Sequence, residues 1–71
     1  MSKPHTELIL DYMREFGSIT PLEAIRDIGC YRLAARISDL RKDGYDIVTE
    51  PLAVRNRYGK TSIVAKYSER S

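Results

Sequence analysis

Residues 52–67 carry Arg55, Arg57, Lys60 and Lys66 and no acidic residue. A solvated loop needs polar side chains, but nothing in solvation demands a single sign of charge. The chemistry open to such a run is electrostatic: it attracts anions, above all those with many charges in a row. A second group of cations, Arg32, Arg36, Arg41 and Lys42, is interleaved with Asp39 and Asp43. There the acids stand at helical spacing from the bases, so internal pairs compete with outside partners. The asymmetry extends over the whole chain. Residues 1–29 hold three basic and five acidic side chains, whereas residues 30–71 hold nine basic and five acidic. A formal net charge of only +2 therefore hides a positive C-terminal half.

Covalent and acid–base chemistry are poorly supplied. His5 is the single histidine and stands near the N-terminus, which leaves no plausible Ser/His/Asp or Cys/His arrangement. The four glycines, Gly17, Gly29, Gly44 and Gly59, are too dispersed to cradle a phosphate. Asp39 and Asp43 lie beside cations rather than in a cleft, a poor setting for a general acid and base. With Cys30 the only thiol, neither an internal disulfide nor a Cys/His zinc site can be assembled from this chain. Cys30 reads as a small residue at a helix start, where a lowered thiol pKa would be its one route to reactivity. No enzyme activity, no metal and no cofactor are expected.

The elements that must position the cations follow from period and punctuation. The spacing predicts a first helix over 6–16, with Leu8, Ile9, Tyr12, Met13 and Phe16 on one apolar face. Thr20-Pro21-Leu22-Glu23 is a capping box with proline at the first helical position, so a second helix should run over 21–28. Its inward stripe should be Leu22, Ile25 and Ile28. After Gly29 a third helix is expected over 31–43, with Leu33, Ile37 and Leu40 inward and Ala34 at their edge. Tyr31, Arg32, Ala35, Ser38, Asp39 and Lys42 then fall outward, and Arg36 on the flank. Beyond Gly44 the period changes to two, predicting a hairpin over 45–67. Pro51 should end its first strand, leaving 51–60 as a long basic loop before a second strand near 61–67. Ser18-Ile19-Thr20 could add a short strand against this hairpin. Tyr12, Tyr45 and Tyr67 are assigned to the core or its edge. Seventy-one residues with 42% hydrophobic content suit one small domain, 1–71, with a thin core. The longest apolar run, Leu8-Ile9-Leu10, is too short to span a bilayer, and the first residues lack a signal-peptide pattern. A soluble, cytoplasmic protein without membrane contact is expected.

Two helices separated by a residue or two around Gly29, then a hairpin with a basic loop, give an α+β, mainly α, arrangement. It resembles a winged helix-turn-helix, three helices followed by a β-hairpin wing, over about residues 6–67. The stretches Gly17-Ser18-Ile19-Thr20-Pro21-Leu22-Glu23-Ala24 and Gly29-Cys30-Tyr31-Arg32-Leu33-Ala34-Ala35-Arg36-Ile37-Ser38-Asp39-Leu40-Arg41 are similar to small phage and prophage proteins of this type. The resemblance implies a small transcriptional regulator that binds double-stranded DNA. Its third helix would enter the major groove, with Tyr31, Arg32 and Ala35 toward base edges. Arg36, Ser38 and Lys42 would meet phosphates along the groove, and Arg55, Arg57 and Lys60 would do so from the wing. Arg55-Asn56-Arg57-Tyr58-Gly59-Lys60 is longer and more basic than a minimal hairpin turn.

A rival reading is a protein-interaction module, a phage-encoded adaptor or inhibitor of a host protein on the same scaffold. The outer face of the third helix discriminates. A docking face would cluster aromatic or aliphatic anchors, whereas this one is polar and cationic apart from Tyr31, with Asp39 dissenting. One module of this size buries about 600–1,000 Å² on DNA, which leaves room for a homodimer or a partner protein.

Overall fold

The computed structural model describes residues 3–70. Helix α1 spans His5–Phe16, and Gly17 comes after it in the left-handed conformation. A single α turn, α2, spans Pro21–Glu23 and runs into a π-helical turn over Ala24–Ile28. Helix α3 spans Leu33–Lys42. Strands β1, Ile47–Arg55, and β2, Thr61–Glu69, form an antiparallel hairpin in which Ile47 faces Glu69 and Arg55 faces Thr61.

The capping box forms as its sequence requires. The Thr20 hydroxyl accepts from Glu23 N–H at 3.3 Å, and the Glu23 carboxylate accepts from Thr20 N–H at 2.9 Å. After Glu23 the chain departs from a plain helix. Gly29, at φ +80°, turns the backbone so that Cys30 N–H reaches back to Ala24 O at 3.0 Å. Gly29 N–H bonds to Ile25 O at 3.2 Å. This widened turn corrects the expected inward stripe. Leu22 and Ile25 are exposed, or nearly so, and the inward residues are Thr20, Ala24 and the half-buried Ile28. Both sets satisfy helical spacing. The smaller Ala24 lets the turn approach α1, and the larger side chains are turned out.

The core is one cluster of Ile9, Leu10, Met13, Ile19, Ala24, Cys30, Leu33, Ile37, Leu40, Ile47 and Tyr67. On α1, Leu10 takes the place expected for Phe16. Phe16 is exposed and stacks on Tyr12 with ring centroids 4.6 Å apart. Tyr67 is buried and Tyr12 packs at the core edge, but Tyr45 is exposed. Ala34, expected at the inner edge of α3, is exposed as well, while Ala35 is half-buried.

Three ties hold the hairpin to the helices. Ile19 N–H donates to Tyr67 O at 2.8 Å and Tyr67 N–H to Ile19 O at 2.9 Å, a one-residue bridge in place of the short strand expected over Ser18-Ile19-Thr20. The Arg41 guanidinium donates to Ile47 O at 2.7 and 3.2 Å and to Thr49 Oγ1 at 2.8 Å, joining the last turn of α3 to β1. Arg14 of α1 forms a forked pair with Glu69 of β2 at 3.0 and 3.3 Å.

Pro51 does not end β1. It lies mid-strand opposite Ala65, and the loop between the strands shrinks from the expected 51–60 to 56–60. The ladder explains why. Asn56 N–H bonds to Lys60 O, and Arg70 N–H bonds to Asp46 O, so the even-numbered residues of β1 point their N–H and C=O groups at β2. Pro51, an odd position, turns its nitrogen to the open edge, where no donor is needed.

Two measurements test these contacts. Gly29→Ala places a Cβ on a left-handed residue and should cost about 1–2 kcal/mol, read as a lower melting temperature with an unchanged circular dichroism spectrum. The second concerns Asp27, whose carboxylate accepts from Arg26 Nε at 2.9 Å and from the Tyr12 hydroxyl at 2.7 Å. Arg26 first, and Tyr12 second, hold its pKa down from 3.8 to about 2. A depressed carboxylate stabilises the fold above its unfolded pKa, and that contribution fades as pH falls through the folded one. Stability should therefore fall between about pH 4 and pH 2, and Asp27→Asn should flatten that part of the profile in urea melts.

Candidate nucleic-acid interface

Helix α3 buries Leu33, Ile37 and Leu40. At 100° per residue the opposite row is Ala35, Ser38, Asp39 and Lys42. Ser38 and Lys42 are exposed, and Ala35 and Asp39 are half-buried. Arg41 and Arg36 stand on the two flanks. Arg41 is engaged with β1. Arg36 pairs with Asp39 at 3.1 Å, and its Nε is buried without a partner among the described residues.

The third helix starts two residues later than the expected 31. Tyr31 and Arg32 lie in the turn before it, and Arg32, at φ −125° and ψ 58°, is the N-cap residue. The delay follows from the π turn and Gly29, which use residues 29–32 to redirect the chain. Tyr31 is 80% exposed. Among the described residues no side chain caps the start of α3, so the backbone N–H groups of its first turn have no side-chain acceptor there beside Arg32. Composition and spacing give no sign of this feature, because they place residue 31 inside the helix.

The hairpin carries the remaining predicted cations. Arg55 ends β1, whereas Arg57 and Lys60 belong to the five-residue loop. All three are exposed. Core contact is confined to the odd-numbered face at the hairpin root, through Ile47 and Tyr67. On the even-numbered face Leu52, Val54 and Val64 join Pro21 and Leu22 around an apolar cleft of about 290 Å³.

Ion pairing sorts the basic residues sharply. Lys3, Arg14, Arg26, Arg36, Lys66 and Arg70 each lie within 4 Å of a carboxylate. Arg41 is taken up by the backbone of β1. Among the described residues this leaves Arg32, Lys42, Arg55, Arg57 and Lys60 without an acidic partner. Arg36, also expected to reach outward, is the exception, being held by Asp39. Lys66, part of the acid-free run, is answered across the ladder by Glu50 at 3.7 Å. Among the described residues there is also no cluster of three or more His, Cys, Asp or Glu placed to hold a metal, and no helix long and apolar enough to cross a membrane.

No curated protein and no solved structure matches the chain. A family model for the winged helix-turn-helix domain matches residues 4–68. That span takes in all the helices, β1, and β2 up to its penultimate residue, together with all five unpartnered cations: the chain belongs to the winged helix-turn-helix domain family.

Proposed function

We propose that this protein binds double-stranded DNA as a small transcriptional regulator, of the kind that its resemblance to phage and prophage proteins implies. The observation that carries the reading is the sorting of charge. The cations left without acids lie at the two ends of α3, Arg32 and Lys42, or near the tip of the wing, while the others pair with carboxylates or, for Arg41, bond to β1. A solvated surface has no reason to segregate its unpaired bases in this way, and a polyanion supplies one.

In this reading the row Ala35, Ser38 and Lys42 enters the major groove, with Tyr31 and Arg32 at its leading end. Arg32 can give a bidentate pair to guanine, and the small Ala35 allows close approach or contact with a thymine methyl. The open N–H groups at the start of α3 suit a phosphate. Ser38, Lys42 and the wing residues Arg55, Arg57 and Lys60 meet the backbone, joined by Arg36 once a phosphate displaces Asp39. The polar row on α3 weighs against the protein-docking reading, whose anchors would have to lie at the Leu22–Leu52–Val64 cleft instead. A footprint of about 600–1,000 Å² favours a homodimer or neighbouring copies on DNA for tight, selective binding.

Fluorescence anisotropy with random-sequence duplex over a salt series tests the proposal. Log K should fall linearly with log salt, and Arg55→Ala/Arg57→Ala/Lys60→Ala should flatten the slope by about 0.9 for each phosphate that the variant no longer neutralises. Binding that is absent at low salt, or a slope untouched by the triple variant, would overturn the model. Asp39→Asn offers a change of opposite sign. Freeing Arg36 and removing an acid from the groove-facing row should tighten binding and steepen the slope, measured in the same titration.

A further inference from the structure

The apolar cleft between α2 and the hairpin is open. Pro21 and Leu22 form one wall, and Leu52, Val54 and Val64 on the even-numbered face of the hairpin form the other. Leu22 is 68% exposed, although it stands in the first turn of a helix, where a polar side chain would serve as well. Leu52 and Val64 face each other across the ladder and are only half-buried, and Val54 is exposed. Together these side chains make a contiguous apolar surface, which a lone molecule in water has no reason to keep. Arg55 is the one charged residue that lines it, and it belongs to the cations without an acidic partner among the described residues.

The chemistry of the cleft specifies its occupant, an apolar group carried next to a carboxylate. The chain presents such a pair at the end of α1. Phe16 is 63% exposed and stacks only on Tyr12. Glu15 precedes it and, among the described residues, has no cation within 4 Å, whereas six other acids are paired with a base. The other large exposed side chains suit the cleft less well. Tyr31 and Tyr58 each adjoin an arginine, which Arg55 would repel, and Ile63 has no charged neighbour in the chain.

We infer that Phe16 of one copy of this chain seats in the cleft of a second copy, with Glu15 meeting Arg55 at its edge. The contact joins two different surfaces, the end of α1 and the cleft beside the wing. One aromatic ring buries about 150–250 Å², against roughly 1,200 Å² for a stable interface. The contact is therefore weak by itself, and copies gather through it when they are concentrated or held side by side. The inference goes beyond the DNA-binding reading and does not rest on it, since ring and cleft are complementary whatever the cations bind.

Sedimentation equilibrium without DNA, from micromolar to millimolar protein, should show reversible self-association. Phe16→Ala should weaken it about tenfold or more, the loss of one buried aromatic side chain. Leu22→Glu, which sets a carboxylate against Glu15, should do the same. An acid in a first helical turn is favourable, and both positions are exposed, so the two variants should melt as the wild type does. Mixing them is the decisive arm. The Phe16→Ala chain keeps its cleft and the Leu22→Glu chain keeps its ring, so the mixture should form pairs that neither variant forms alone, and nothing larger. Glu15→Arg or Arg55→Glu singly should weaken association about two- to fivefold, the worth of an exposed ion pair, and the double variant should recover it. The inference is overturned if the wild type stays monomeric at millimolar concentration, if Phe16→Ala associates as the wild type does, or if the mixture stays monomeric where the wild type associates.

Discussion

The reciprocal pair of hydrogen bonds between Ile19 and Tyr67 is the joint on which the molecule turns. A two-stranded hairpin is marginal in water on its own, and the helices here bury their apolar residues in one cluster with Ile47 and Tyr67 of the hairpin. Each half supplies what the other lacks at this point. Ile19, fully buried between α1 and α2, pairs with β2 through a one-residue bridge, and Tyr67 closes the core beneath it. Arg41 and Arg14 extend the joint to either side, so that the hairpin root is fastened to the ends of α3 and α1. The direction in which the wing projects from α3 is therefore set by backbone pairing and two forked guanidinium contacts. It does not depend on a large buried interface, which a chain of this length could not provide.

Much of this was legible in the residues. The capping box at Thr20–Glu23, the glycines behind α1 and in the turn, and the switch of period after Gly44 each have one local interpretation, and the elements stand where those signals put them. Departures arise where two interpretations satisfy one pattern. Leu22, Ile25 and Ile28 fit the helical period as well as Thr20, Ala24 and Ile28 do, and only the packing distance to α1 decides between them. Phe16 and Leu10 exchange places for a similar reason, because the apolar stripe of α1 is wider than the surface it covers. The start of α3 falls two residues beyond its expected place because a π turn leaves no mark in composition.

The charge pattern was legible at the level of segments but not of partners. An acid-free run from 52 to 67 is visible in the sequence, yet the cross-strand pairing that neutralises Lys66 with Glu50 depends on a register fixed only by the fold. Likewise Arg36 and Arg41 look equivalent on paper. In the folded chain one meets Asp39 and the other is drawn into the joint between α3 and β1, so their capacities for an outside anion differ. Adding charges over a sequence overstates the available positive surface, and subtracting the pairs the fold makes leaves a smaller and better-defined set.

Pro51 carries a consequence for the behaviour of the protein at high concentration. A hairpin with an unpaired outer strand and apolar residues on both faces, among them Ile63, Val54 and Leu52, is an invitation to strand-by-strand polymerisation. The missing N–H at the middle of the β1 edge removes one rung from any ladder that a second molecule would build there. The proline thus acts as a gatekeeper against fibril growth along that edge while leaving the pairing with β2 intact.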